Sequence, residues 1–230
     1  MKIAVISRSG NVGKSTISRQ FLAPRLNAKY ILIETVNTDR TEAIRLRGRE
    51  FQVLLDVMAV EDHVVVDVGT SEVEEFFSQM KNYQGSHEDF DLFIIPTVSA
   101  LKPQRDTAKT VFDLIKMGFK ESNIRIIFNM VGSSDDVTEV FKGVFDLAKE
   151  FPGLKLDAEV KIFTNDLFPQ LEEKNVTIDN ILADATDYKA LMKLTEDPSK
   201  RRALSQRRNI KLLAHGLSDH LNTVFGKLIV

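Results

Sequence analysis

Residues 2–16, KIAVISRSGNVGKST, constrain this chain more than any other stretch. The apolar run 3–6 leads into Ser9-Gly10-Asn11-Val12-Gly13, then Lys14-Ser15-Thr16, and an amphipathic segment follows at once. A buried strand, a turn whose N–H groups point inward and a helix N-terminus, in that order, make a cradle for phosphate. Gly10 and Gly13 let the backbone approach phosphate oxygens, the Lys14 ammonium can reach the β and γ phosphates, and the Ser15 hydroxyl can ligate Mg²⁺. The pattern G-x-x-x-x-G-K-[ST] is incomplete, because Arg8 stands where its first glycine belongs. A surface turn is the plainer alternative; the strand before and the helix after favour a nucleotide site.

With 230 residues the chain can bury roughly 70% of the surface its unfolded form exposes, and one domain is the simplest expectation. A net charge of −2 with 28% charged residues points to no acidic or basic partner by itself. The absence of cysteine excludes disulfides, thiol catalysis and cysteine metal sites. No apolar run approaches the ~18 residues of a membrane span, and a cytoplasmic setting is expected.

Strands and helices alternate along the sequence. Buried runs at 30–33, 64–66, 92–95 and 124–128 predict strands, with a further strand of alternating character at 158–163. Helical spacing predicts helices from Lys14 to a stop or kink at Pro24, over 73–80 and 104–117, and over 135–151 as the cleanest of all; 51–60 reads as strand or helix, and Phe51, Leu54, Leu55 and Met58 at i, i+3, i+4 and i+7 favour helix. Such alternation calls for a mostly parallel sheet covered on both faces, with the polar strand ends Glu34, Asp67, Thr97 and Asn129 gathered beside the 7–15 turn. Asp67 ends the run Val64-Val65-Val66 and is followed by Val68-Gly69-Thr70. A carboxylate there can hold a Mg²⁺ shell, and Gly69 frees a backbone N–H for a γ-phosphate; a simple capping role is the alternative. Residues 167–194 read as short helices. After Asp197-Pro198 comes one long amphipathic helix, 199–230, whose first turns carry Lys200, Arg201, Arg202, Arg207, Arg208 and Lys211. A solvated helix start is the bland account; a patch for nucleic acid or acidic lipid, or a self-association helix, are the others. Strand 1 running straight into a GKST turn excludes the G-x-G-x-x-G dinucleotide fingerprint.

On the 9–16 turn, the Glu34 region, residues 64–69 and Ile94-Ile95-Pro96-Thr97, the chain resembles the ParA/MinD group of P-loop ATPases with a deviant Walker A motif. Over its whole length it is more narrowly similar to plasmid stability proteins of the StbB type, encoded beside conjugative transfer functions. The resemblance implies an α/β P-loop NTPase three-layer sandwich, spanning 1–230 as one domain with 199–230 as a C-terminal helical element. It further implies binding of ATP or ADP with Mg²⁺ through Ser9, Gly10, Asn11, Val12, Gly13, Lys14, Ser15, Thr16 and Asn129, the last at the base. Ser15 and Asp67 are then the metal residues, and Lys14, Arg8, Glu34 and Asp39 the catalytic ones. ATP-linked homodimerisation, slow or partner-dependent hydrolysis, a plasmid-encoded partner and a role in plasmid stability, partition or conjugative transfer complete the implication; DNA or membrane-surface contact through the basic helix start stays one of the alternatives read from its residues. That would associate a cytoplasmic protein with nucleoid or membrane.

Three departures qualify it. Ser9 stands where the family has a signature lysine that reaches the partner subunit's phosphates, so either Arg8 supplies that charge or the contact is absent. The two family aspartates after the second strand fall on Glu34 and Val36, so either Asp39 reaches in or hydrolysis is very slow. Met130 stands where a basic residue is common. A nucleotide-binding adaptor without turnover, and a small-molecule kinase or ligase of the dethiobiotin synthetase kind, remain alternatives.

Overall fold

The computed structural model describes residues 1–35 and 44–229. These fall into two compact units, Met1–Thr164 with Val224–Val230, and Asn165–Thr223. The first unit is built on a seven-stranded sheet: β1 (Lys2–Val5), β2 (Lys29–Ile33), β3 (Ile44–Leu46), β4 (Val64–Val68), β5 (Leu92–Thr97), β6 (Ile124–Val131) and β7 (Lys161–Phe163). Their spatial order is β3-β2-β4-β1-β5-β6-β7, and every neighbouring pair is parallel. Continuous apolar runs such as Val64-Val65-Val66 suit strands buried on both faces. Ala4, Ile6, Val66, Phe93 and Ile95 pack on one face into a core shared with Phe51, Phe76 and Phe141. The alternating residues Ile3, Val5, Val65 and Ile94 are equally buried and face the other way. Val5 pairs with Asp67 on β4 and with Ile94 on β5, so β1 and β4 end together at one carboxyl edge while β5 continues to Thr97.

The helix leaving β1 comprises α1 (Lys14–Thr16), a π-helical stretch Ile17–Leu22 and α2 (Ala23–Leu26). It runs through Pro24, where the sequence predicts a stop or kink. Proline lacks the N–H for the ladder and crowds the carbonyl four residues back. The widened π turn makes room, and Arg25 Nη1 donates to the carbonyls of Gln20 at 3.4 Å and Phe21 at 3.1 Å. The helix ends at Asn27, in the left-handed region.

The remaining helices of this unit are α3 (Phe51–Val60), α4 (Val73–Asn82), α5 (Leu101–Lys116), α6 (Val137–Val140) and α7 (Lys142–Glu150). Helix α5 begins three residues before Gln104, because Pro103 is tolerated in a first turn. The single helix expected over 135–151 breaks at Phe141 (φ −107°, ψ 28°). Phe141 turns into the core 4.7 Å from Phe128, and the side chain of Gln104 donates to the Val140 carbonyl at 3.0 Å, replacing the lost helical donor. Strand β7 is also shorter than expected, covering only Lys161–Phe163.

The second unit holds α8 (Leu167–Lys174), α9 (Ile178–Leu182), α10 (Tyr188–Leu194) and most of α11 (Pro198–Leu228), the long C-terminal helix that the sequence predicts. Thr177 and Asn180 form a capping box at α9, and Lys211 donates to the Asp184 carbonyl. In the first unit, the last turns of α11 set Phe225 edge-on to Phe21 at 6.1 Å, and Arg125 Nε donates to the Leu228 carbonyl at 3.2 Å. Among the described residues no helix is long and apolar enough to cross a membrane.

Candidate functional site

The turn between β1 and α1 curls because Asn11 (φ 57°) and Gly13 (φ 84°) both occupy the left-handed region. At Gly13 the requirement is twofold, since a Cβ there would collide with Asn129 Nδ2. Gly10 carries no such constraint: a Cβ would meet nothing within 4 Å. Val12 is buried, and Asn129 Nδ2 donates to its carbonyl at 2.9 Å. Asn129, expected at a base, is thus 5% exposed and turned against the turn itself.

Lys14 is buried. Its Nζ donates to the Ser9 carbonyl at 3.1 Å and to Thr70 Oγ1 at 2.6 Å, and Thr70 in turn donates to the Ser9 carbonyl at 3.2 Å. Burial lowers the pKa of the ammonium, while the charges of Asp67 and Glu34 act to hold its proton. Ser9 points inward: its hydroxyl donates to Asp106 Oδ2 on α5 at 2.6 Å, and its N–H to Ser7 Oγ at 3.2 Å. Ser15 is exposed and Thr16 half-buried at the helix start.

Asp67 ends β4 almost wholly buried. Tyr30, on β2, donates its hydroxyl to Asp67 Oδ2 at 2.9 Å. The Ser15 hydroxyl lies close enough to favour the charged carboxylate, yet Oδ1 accepts no well-formed hydrogen bond among the described residues. Burial raises the Asp67 pKa, against the pull of Ser15, Tyr30 and the Lys14 charge; Glu34 pushes it further up. Burial, with the charge of Asp67 and its hydrogen bond, lifts the Tyr30 phenol far above its ordinary range, so it remains a donor. A second buried acceptor, Thr97 Oγ1 at the end of β5, also has no partner among the described residues.

These placements decide what the edge can hold. A divalent cation needs hard oxygen ligands with open lone pairs. A buried carboxylate oxygen without a donor, beside an exposed serine hydroxyl, meets that need, so the residues fit Mg²⁺. Among the described residues no group of three or more His, Cys, Asp or Glu could hold a metal.

Arg8 takes another course. Its Nε and Nη2 donate to Asp113 Oδ2 on α5 at 3.1 and 2.5 Å, its Nη1 donates to Glu74 Oε1 on α4, and its guanidinium lies 5.6 Å from the Phe77 ring centroid. Burial would lower its pKa, but the two carboxylates outweigh that and raise it. The cation predicted to face a partner subunit is here engaged within its own chain. Glu34 follows β2, its N–H donating to the Leu46 carbonyl at 2.9 Å. Val36 and Asp39 lie outside the described residues.

Four participants went unnoticed in the sequence: Tyr30, Thr70, Asp106 and Glu72. Glu72 is buried and accepts from Thr35 Oγ1 and from the Gly48 N–H at 2.7 Å. Thr70 alone carried a signal, its position three residues past Asp67; the others are joined to their partners only by the fold.

The strand order, the turn and the flanking helices together define an α/β P-loop NTPase fold. No family model and no curated protein matches the chain. Among solved structures it is similar to the septum site-determining protein MinD complexed with Mg-ADP from Pyrococcus horikoshii OT3. The identity is 14%, covering 94% of this chain and 95% of that one, with a TM-score of 0.51. A Cyanothece McdA variant in complex with ATP matches at 12% identity over 96% of each chain, TM-score 0.47. The MinD cell division protein of Aquifex aeolicus matches at 16% identity over 80% of this chain and 90% of that one, TM-score 0.47. At such identities the likeness bears on the fold alone, and for that the Pyrococcus protein suffices.

Proposed function

We propose that this protein is an ATP-binding, slowly hydrolysing switch of the ParA/MinD kind, serving plasmid stability, partition or conjugative transfer in the manner of StbB-type proteins. The observation that carries the nucleotide reading is the buried Asp67 Oδ1, open beside Ser15 at the head of the helix that begins with Lys14. In this reading Gly10, Asn11, Val12, Gly13 and Thr16 line the cradle, and Lys14 leaves Thr70 and the Ser9 carbonyl for the β and γ phosphates. Ser15 and Asp67 hold Mg²⁺, which when bound neutralises phosphate charge. Asn129 braces the turn from below, Glu34 supports the Lys14 charge, and Asp39 is the carboxylate available to orient water. ATP-loaded chains pair as a homodimer. The exposed basic start of α11 meets DNA or an anionic membrane surface, and a plasmid-encoded partner sets the turnover of a cytoplasmic protein.

An adaptor that binds nucleotide without turnover is the second reading. It is favoured by Ser9, whose side chain is buried on Asp106 and offers no cation to a partner's phosphates.

One experiment tests the leading reading: titration with a fluorescent ATP analogue with and without Mg²⁺, then sizing by light scattering in ADP and in a non-hydrolysable ATP analogue. Mg²⁺-dependent binding and an ATP-specific increase in mass are expected. Absence of Mg²⁺-dependent binding would overturn the nucleotide site. Binding without a change in mass, and without phosphate release, would favour the adaptor.

A further inference from the structure

Tyr30 is absent from every motif of the sequence, yet its hydroxyl reaches across from β2 to the carboxylate at the end of β4. Strand register explains how. Leu32 is the β2 residue paired with Asp67, and Tyr30, two positions earlier, projects from the same face. A phenol is long enough to reach the carboxylate diagonally, where a shorter side chain at this position would fall short. The bond is made to one oxygen, Oδ2, while Oδ1 stays open.

This matters because Lys14 sits close enough for its charge to act on Asp67, in a site where burial strengthens any ion pair. A carboxylate free to rotate would turn toward the ammonium, and both groups would be lost to an incoming metal–nucleotide complex. A donor fixed on Oδ2 restricts that rotation. We propose that Tyr30 is the positioning residue of the metal site, holding Asp67 by Oδ2 so that Oδ1 faces the divalent cation instead of collapsing onto Lys14. The proposal rests on the nucleotide reading above and extends it by one residue. Partners that orient a metal ligand from behind typically govern affinity by about 10–100-fold.

The test is a Mg²⁺ titration of ATP-analogue binding by the full chain, comparing wild type with Tyr30→Phe. Loss of the hydroxyl is expected to raise the Mg²⁺ concentration for half-maximal effect about tenfold, while affinity measured in excess EDTA stays within about twofold. A merely structural phenol would lower the melting temperature and leave the Mg²⁺ curve where it is; superimposable curves therefore overturn the proposal while leaving the nucleotide site intact. A wild type with no Mg²⁺ dependence overturns both. A measurement on unaltered residue 30 guards against a variant that fails to fold. With tyrosine labelled at Cζ, three resonances are expected, from Tyr30, Tyr83 and Tyr188, and Tyr83→Phe and Tyr188→Phe assign the first by elimination. The Tyr30 resonance should move when Mg²⁺ is added to the ADP complex, because a cation on Oδ1 withdraws charge from the acceptor. A resonance that ignores Mg²⁺ while Mg²⁺ binds overturns the inference.

Discussion

Lys14 and Arg8 are two cations of one turn with opposite commitments. Lys14 is bound to neutral groups, a carbonyl and a hydroxyl, which are weak competitors for a phosphate. Lys14→Ala should therefore weaken ATP-analogue binding more than tenfold, the loss of a charge-assisted contact of at least about 1.5 kcal/mol, with the circular-dichroism spectrum unchanged. Wild-type affinity would remove the turn from consideration. Arg8 is bound to two carboxylates, but Glu74 is 77% and Asp113 39% exposed, so water screens both pairs and the clamp is one a phosphate can outbid. Arg8→Ala is expected to leave monomer affinity within a few-fold of wild type and to abolish ATP-dependent dimerisation by light scattering. A variant that still dimerises would leave Arg8 the single role of tying the turn to α4 and α5.

Among the elements, the turn and the helix after it form the hinge on which the site depends. Gly13 combines a left-handed backbone with the close approach of Asn129, so Gly13→Ala should cost about 2 kcal/mol or more, read from the urea midpoint, and weaken nucleotide binding as well. A variant within about 0.5 kcal/mol of wild type would mean that the turn relaxes freely. The elements that the sequence made legible are those with long uniform patterns: the central strands, α4 and α11. Strand β3 escaped notice because Ile44–Leu46 is three residues long and takes its identity from pairing with β2. The break at Phe141 was invisible because the apolar spacing continues through it; the core contact with Phe128 and the side chain of Gln104, 36 positions before Val140, meet it only in the fold. The site divides similarly. Gly13, Lys14, Ser15 and Asp67 announce themselves by local order, whereas Tyr30 and Asp106 meet their partners 37 and 97 positions away.

At the scale of the whole molecule, two responses to solvent conditions follow. Asp67 has its pKa raised in the folded chain, so folding favours its protonated form. The sign is that of a cost: the ligand-free protein loses stability as pH climbs from the unfolded carboxylate value near 4 toward the folded one, and the loss persists above it. Asp67→Asn should consequently raise the melting temperature of the ligand-free chain at neutral pH while removing the Mg²⁺ dependence of nucleotide binding. A lower melting temperature with Mg²⁺ dependence intact would make Asp67 an ordinary turn residue. The basic start of α11 gives the other response. Lys200, Arg201, Arg202 and Arg207 are exposed, and if they meet DNA or anionic vesicles, binding should fall steeply from low to physiological salt and vanish on charge reversal at 201, 202 and 207. Salt-insensitive binding, or none, returns this stretch to a solvated helix end.

The empty lone pair on Asp67 also has a meaning for descent. If asparagine at 67 stabilises the bare fold as expected above, random substitution has a downhill path away from this aspartate. An aspartate there, with a phenol behind it, persists only while something rewards it. In diverged copies of the gene, the pair at 30 and 67 is therefore a more telling sign of continued metal use than the glycine–lysine turn itself. The turn is also held by packing, through Gly13 against Asn129, and can outlive its purpose.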